Sequence, residues 1–249
     1  MIRGTVPIVL AALLGAGAAA GEEPSPTGAE DDVLAAVIAA DDAQAVHLML
    51  LGGCVADLTL SDGRLAIEHA VADDALAAVD ALCAAGVDLD AVGRSGRTAL
   101  ELAAELGTAE MIAALVDAGA DPTAVQPVTL GATPLHAAAV SAGDEALAVL
   151  LATGADPDVP DGAGITPLGW AVCAGVDDAR IEMLLDAGAD PARVTSSGHN
   201  AVDLAAACGR PDLVVLLESW GCAAAEPLTA VEPPLGLLAV TYRLPVTVG

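Results

Sequence analysis

Four histidines, five cysteines and 35 acidic side chains are the groups of this 249-residue chain that could carry chemistry. His47, His69, His136 and His199 are scattered with no metal-ligand spacing, and none of the patterns G-x-S-x-G, H-E-x-x-H, G-x-G-x-x-G or C-x-x-C occurs. Asp156-x-Asp158-x-x-Asp161-Gly162 is the one stretch to test against calcium. A calcium loop needs alternating Asp, then Gly, then a bidentate Glu at its twelfth place. Here the third Asp comes one residue late and the twelfth place is Pro167, so acidic turn residues are expected and no metal or other cofactor is assigned. Lysine is absent, which removes Schiff-base chemistry and a P-loop. An odd number of cysteines leaves at least one thiol unpaired or intermolecular. No activating base or basic residue adjoins any of them in sequence, so structural roles are expected ahead of redox catalysis.

The elements that must hold these groups are limited by composition. Trp170, Trp220 and Tyr242 are the only aromatics, and hydrophobic residues make up 55% of the chain. A core of Ala, Leu, Val and Ile suits closely packed helices better than a sandwich or barrel. Eight Arg against 35 Asp and Glu give a net charge of −27, which repels phosphate backbones and anionic lipid, so nucleic acid is not an expected partner. Residues 1–20 read as a signal peptide, with Arg3, an apolar run from Val6 to Leu14 and a small-residue site at Ala18-Ala19-Ala20. Residues 21–30 then read as a linker. Export to the periplasm or medium is the expectation, with no membrane span left after cleavage.

Glycines recur through the rest. Gly53, Gly86, Gly119, Gly154, Gly188 and Gly221 are separated by 33, 33, 35, 34 and 33 residues, and each follows an apolar helical stretch. Such a glycine suits a helix C-terminus. About twelve residues later another helix is expected to start, at Leu65-Ala66-Ile67, Thr98-Ala99-Leu100, Thr133-Pro134-Leu135, Thr166-Pro167-Leu168 and Asn200-Ala201-Val202. Thr caps a helix and Pro fits its first position. The pairs Asp41-Asp42, Asp73-Asp74 and Asp177-Asp178 precede the other helix of their copies, where carboxylates match the positive end of a helix dipole.

Thr133-Pro134-Leu135-His136-Ala137-Ala138, together with Ala118-Gly119-Ala120-Asp121, Thr153-Gly154-Ala155-Asp156 and Ala187-Gly188-Ala189-Asp190, resembles the ankyrin repeat. Thr166-Pro167-Leu168-Gly169-Trp170-Ala171 keeps the pattern with Gly in place of His. The resemblance implies an all-α, ankyrin-type solenoid of stacked helix-turn-helix repeats joined by β-turn fingers. It covers residues 31–222 as a degenerate first unit plus about five repeats, with Trp220 read as one extra residue before Gly221. Residues 223–249 form a Pro-rich tail or cap. The family's signature His, here His136, is expected to hydrogen-bond within and between repeats.

The resemblance also implies a partner surface on the finger tips and the exposed side of the first helices. Carried over position by position, it comprises Arg64, Arg94, Arg97, Leu130, Ile165 and His199 from the fingers, and Asp73, Glu105 and Val140 from the helices, with Cys173 and Cys208 on the same helix side. Three arginines in adjacent fingers followed by an apolar middle have the composition of an interface centre. Cys173 and Cys208 fall near the ends of first helices in neighbouring repeats. A disulfide there requires Cα atoms within about 7 Å, whereas stacked helices lie about 8–10 Å apart, so the pair closes only with a local shift. The expected function is a non-enzymatic, monomeric interaction module that binds a periplasmic protein, one with a basic surface, as scaffold, stabiliser or inhibitor. The alternatives are cysteine-based redox or metal-dependent activity on the repeat scaffold, or a cytosolic or membrane-anchored regulator if the N-terminal segment is retained.

Overall fold

The computed structural model describes residues 28–51, 59–60, 62–125, 131–141 and 143–225. The expected signal peptide, Cys54, Leu130 and the tail beyond Ala225 lie outside the described residues. Among those described there are twelve α-helices and no strand, only an isolated antiparallel bridge between Thr59 and Leu65.

The helices come in six pairs: α1 (Gly28–Ala39) with α2 (Ala43–Leu51), α3 (Ala66–Ala72) with α4 (Leu76–Ala84), and α5 (Ala99–Leu106) with α6 (Ala109–Asp117). They continue as α7 (Pro134–Val140) with α8 (Asp144–Ala152), α9 (Pro167–Ala174) with α10 (Asp178–Asp186), and α11 (Ala201–Ala207) with α12 (Pro211–Ser219). Two departures from expectation appear at the ends. The first unit is a complete helix pair, and α1 begins within the stretch read as linker. Every second helix has nine residues, including α12, so Trp220 is no insertion. It occupies the helix-ending position held elsewhere by Ala85, Thr153 and Ala187.

The recurring glycine does what its spacing implies. Gly86 has φ 79° and Gly188 φ 100°, a region in which a Cβ is strained. That geometry turns two N–H groups back onto the final helical carbonyls, Gly188 N–H to Leu185 and Ala189 N–H to Leu184, at 2.9 and 3.1 Å. The paired aspartates are not equivalent caps, as the sequence had suggested. Asp42 and Asp177 do cap, accepting from the N–H groups of Ala45 and Arg180. Asp41 and Asp74 instead take φ 51° and 56° at the turn between helices, where later pairs carry Gly107, Gly175 and Gly209. Asp has a short polar side chain that tolerates this conformation, which is why the acids cluster there. The Asp41 carboxylate then accepts from Ala78 N–H, inside α4 of the next pair.

The described residues divide into two compact units, 28–103 with 110–121, and 104–109 with 122–225. In the first, α1 packs on α2 and α3, and α4 on α2 and α3. In the second, α7 packs on α8 and α9, α9 on α10 and α11, and α11 on α12. Each interior is aliphatic: Leu34, Ile38, Leu82, Leu100 and Ile112 are fully buried in one, and Leu135, Leu147, Leu150, Leu168 and Ile181 in the other. A fully buried Leu or Ile contributes about 1.5–3 kcal/mol. Alanines between them (Ala70, Ala78, Ala137, Ala171, Ala205) allow neighbouring helices to approach closely.

The finger turns also repeat. Leu60, Asp161 and Thr195 each donate their N–H to the carbonyl four residues on, that of Arg64, Ile165 and His199, at 2.7–2.9 Å. A second glycine series, Gly63, Gly96, Gly131, Gly164 and Gly198, turns the finger tips at positive φ.

Candidate protein-binding surface

One position, three residues past the cap of the first helix in the five repeats after the first unit, organises the polar interior. It holds Glu68, Glu101, His136, Gly169 and Asp203 in turn. Glu68 accepts from Leu65 N–H at 3.0 Å and from the Ser95 hydroxyl of the next finger. His136 Nδ1 accepts from Thr133 N–H at 3.0 Å, so its ring proton sits on Nε2, which donates to the Ile165 carbonyl of the next finger at 3.1 Å. Asp203 accepts from Asn200 N–H at 3.0 Å and from Ala225 N–H at 3.2 Å. Each of these three caps its own helix and ties the following segment. Only His136 stands out by residue type, because Glu68 and Asp203 share its position and not its chemistry. The His136 ring is completely buried and meets Trp170 edge-on at 5.1 Å. Burial outweighs its hydrogen bond to Ile165 and pushes its pKa down to about 4, so at neutral pH the imidazole is uncharged.

Gly169 departs from this pattern for a reason visible next to it. A Cβ there would lie 2.7 Å from Ile165 Cγ2. Ile165 therefore occupies the space that a larger side chain would take, and it is 5% exposed. The previous repeat uses the opposite combination, small Ala132 with large His136. Ile165 is a packing residue, not the exposed apolar contact expected from its finger position.

The acidic turns are likewise occupied internally. Asp161 accepts from the N–H groups of Ala163 and Ile165 and from Trp170 Nε1, all within 2.9 Å. Asp156 accepts from Asp158 N–H, and Asp158 from Asp190 N–H one repeat on. Asp90 does the same for Asp121 N–H in the first unit. The three acids tested against calcium thus hold fingers together.

Among the residues assigned to the partner surface, Arg64 and Arg94 are exposed in adjacent fingers and converge on Asp62. Arg64 lies 3.8 Å from its carboxylate, and Arg94 Nη1 donates to its carbonyl at 2.9 Å. Arg97 is half-buried beside them. Asp73 is exposed and lies 3.4 Å from His69 Nε2. Glu105, Val140 and His199 are half-buried in the second unit, while Ile165 and Cys173 are buried. Exposed apolar finger positions fall elsewhere. Val92, Val125 and Val194 are 45–54% exposed. Each stands six residues after a helix-ending glycine, a spacing that would have revealed them.

Four cysteines are described, all free thiols: Cys83, Cys173, Cys208 and Cys222. Burial pushes the thiols of Cys83 and Cys222 up, reinforced by Asp80 and Asp190 respectively. Cys173 and Cys208 interact with each other, with opposite consequences. That interaction and burial hold Cys173 protonated, whereas the interaction and the Arg210 charge lower the Cys208 pKa. Arg210 is separated from Cys208 by Gly209, so no basic residue directly adjoins that thiol in sequence although one acts on it in the fold.

Comparison with known proteins agrees with this construction. A family model described as ankyrin repeats, in three copies, matches residues 33–126 and again 135–224. The crystal structure of the ankyrin repeat domain of Bcl-3, a member of the IkappaB protein family, is similar with a TM-score of 0.72 and 28% identity. The match covers 86% of this chain and 95% of that one. Matched over most of its length, on the same residues that build its helix pairs, the chain belongs to the ankyrin repeat family.

Proposed function

We propose that this protein is a non-enzymatic, exported docking module that holds a basic periplasmic partner against its finger edges, as scaffold, stabiliser or inhibitor. Ankyrin repeats are a protein–protein interaction architecture, and the coarse role follows from the family. The observation that supports the finer reading is how the polar groups are used. Glu68, His136, Asp161 and Asp203 are tied into links within and between repeats. Arg64, Arg94 and Val92 remain on the outside of adjacent fingers. Arginine beside exposed apolar area is the combination enriched at interface centres.

A net charge of −27 favours a basic partner and speeds encounter with it. Export rests on the Arg3, Val6–Leu14 and Ala18–Ala20 pattern. Affinity capture from periplasmic extract, eluted by a salt gradient, tests the reading. A basic protein held at low salt and released as salt rises is expected, together with a mature N-terminus after Ala20 by mass analysis. Replacing Arg94 and Arg97 together should weaken capture with the thermal unfolding midpoint nearly unchanged. Undiminished capture by that variant would remove the finger arginines from the assignment.

A further inference from the structure

The Cys173–Cys208 contact is not used by the docking role, and the following inference stands independently of it. Cys173 lies on α9 and is buried, while Cys208 closes α11 and is half-buried. Those helices pack directly on each other, with Ala174-Gly175 following the first thiol and Ala205-Ala206-Ala207 preceding the second. Small residues let the two backbones come close, and the two thiols interact across the repeat boundary. Arg210 sits over the same junction. Its Nη1 donates to the Val176 carbonyl at 3.3 Å, and a Cβ on Gly175 would lie 3.7 Å from that nitrogen. Arg210, itself paired with Asp212 at 2.7 Å and with Asp178 at 3.4 Å, therefore places a fixed guanidinium near the more accessible thiol.

We propose that Cys173 and Cys208 are a reversible dithiol–disulfide site, oxidised by exchange with a small-molecule disulfide, and that the resulting bond locks α9 to α11. Cys208 is the entry point. Its thiolate attacks one sulfur of the small disulfide, forming a mixed disulfide and releasing one thiolate that takes up a proton. Cys173 then loses its proton and its sulfur attacks Cys208 Sγ, expelling the second small thiol. Two protein thiols are oxidised by two electrons, and one small disulfide is reduced to two thiols. Arg210 favours the first step by stabilising the Cys208 thiolate.

The full chain, purified reduced and incubated with oxidised glutathione, provides the test. Alkylation at timed intervals and peptide mapping should show a Cys173–Cys208 cross-link that dithiothreitol reverses. Cys173→Ser should stop at a glutathione adduct on Cys208. Cys208→Ser should leave Cys173 unmodified, with Cys208→Ala as a second variant and far-UV circular dichroism as the control for folding. Arg210→Gln should slow adduct formation severalfold. The proposal fails if Cys208 takes up glutathione in the native chain without linking to Cys173. It fails equally if Cys83 or Cys222 reacts first, or if cross-links form preferentially to Cys54.

Discussion

His136 carries a pH dependence whose sign follows from its burial. In the unfolded chain a histidine titrates near 6.5, while in the fold its pKa is about 4. Between those values the unfolded state binds a proton that the native state excludes, so stability falls as pH falls. The contribution is fully present above pH 6.5 and declines by about 3 kcal/mol as pH approaches 4. Urea unfolding of the wild type and His136→Gln across this range checks it. Carboxylate contributions common to both cancel, so the wild type should show the additional loss. Parallel decline of the two would mean that the imidazole is not held neutral. This residue was legible in the sequence because its whole signature is intact. Glu68, Glu101 and Asp203 were not, because chemically different side chains occupy the same position three residues past a cap, and a search by residue type does not group them.

For the element, helix α9 sets the sharpest test of packing. Gly169→Ala gains about 1 kcal/mol in helix propensity but places a Cβ 2.7 Å from Ile165 Cγ2, with Leu204 Cδ1 at 3.3 Å. The Ile165 methyl is attached at a branched Cβ and has little room to swing aside, so overpacking prevails and a net loss of about 1–2 kcal/mol is expected. Ile165→Ala in the same chain removes the methyl that the new Cβ would meet. The double variant should therefore be more stable than the sum of the single losses, a favourable coupling of about 1 kcal/mol. Additive losses in denaturant unfolding would show that the two side chains do not share that space. Arg180 provides a second test between elements. It is 7% exposed, bonds Asp144 Oδ1 through Nε at 2.9 Å and also donates to the Ser141 carbonyl. Asp144 is half-exposed and water can replace part of what it loses, so Arg180→Ala should cost about 1–3 kcal/mol in the unfolding free energy. Helix pairing was readable from periodic glycine and Thr-Pro starts. Which way a finger residue faces was not, since Ile165 and His199 hold the same place between a finger glycine and a helix cap, and only Ile165 is buried.

The whole molecule has a charge of −27, and that single property acts with opposite sign on stability and on binding. Repulsion among 35 acids opposes the compact state. Raising salt from about 0.01 M to about 0.15 M shortens the screening length from about 30 Å to about 8 Å. Over that range the long-range repulsion weakens, whereas the hydrogen bonds that Asp156, Asp158 and Asp161 make to backbone N–H groups act at contact distance and are barely screened. The thermal unfolding midpoint should therefore rise with salt. The same screening removes the attraction of a basic partner, so its association rate should fall steeply while its dissociation rate changes little. Calorimetry and surface-capture kinetics over one salt series would read both effects. An unfolding midpoint that falls with salt would mean that exposed ion pairs such as Arg64–Asp62 outweigh the net field. An association rate independent of salt would mean that the partner is not drawn by charge, which leaves the exposed valines of the fingers to account for its recognition.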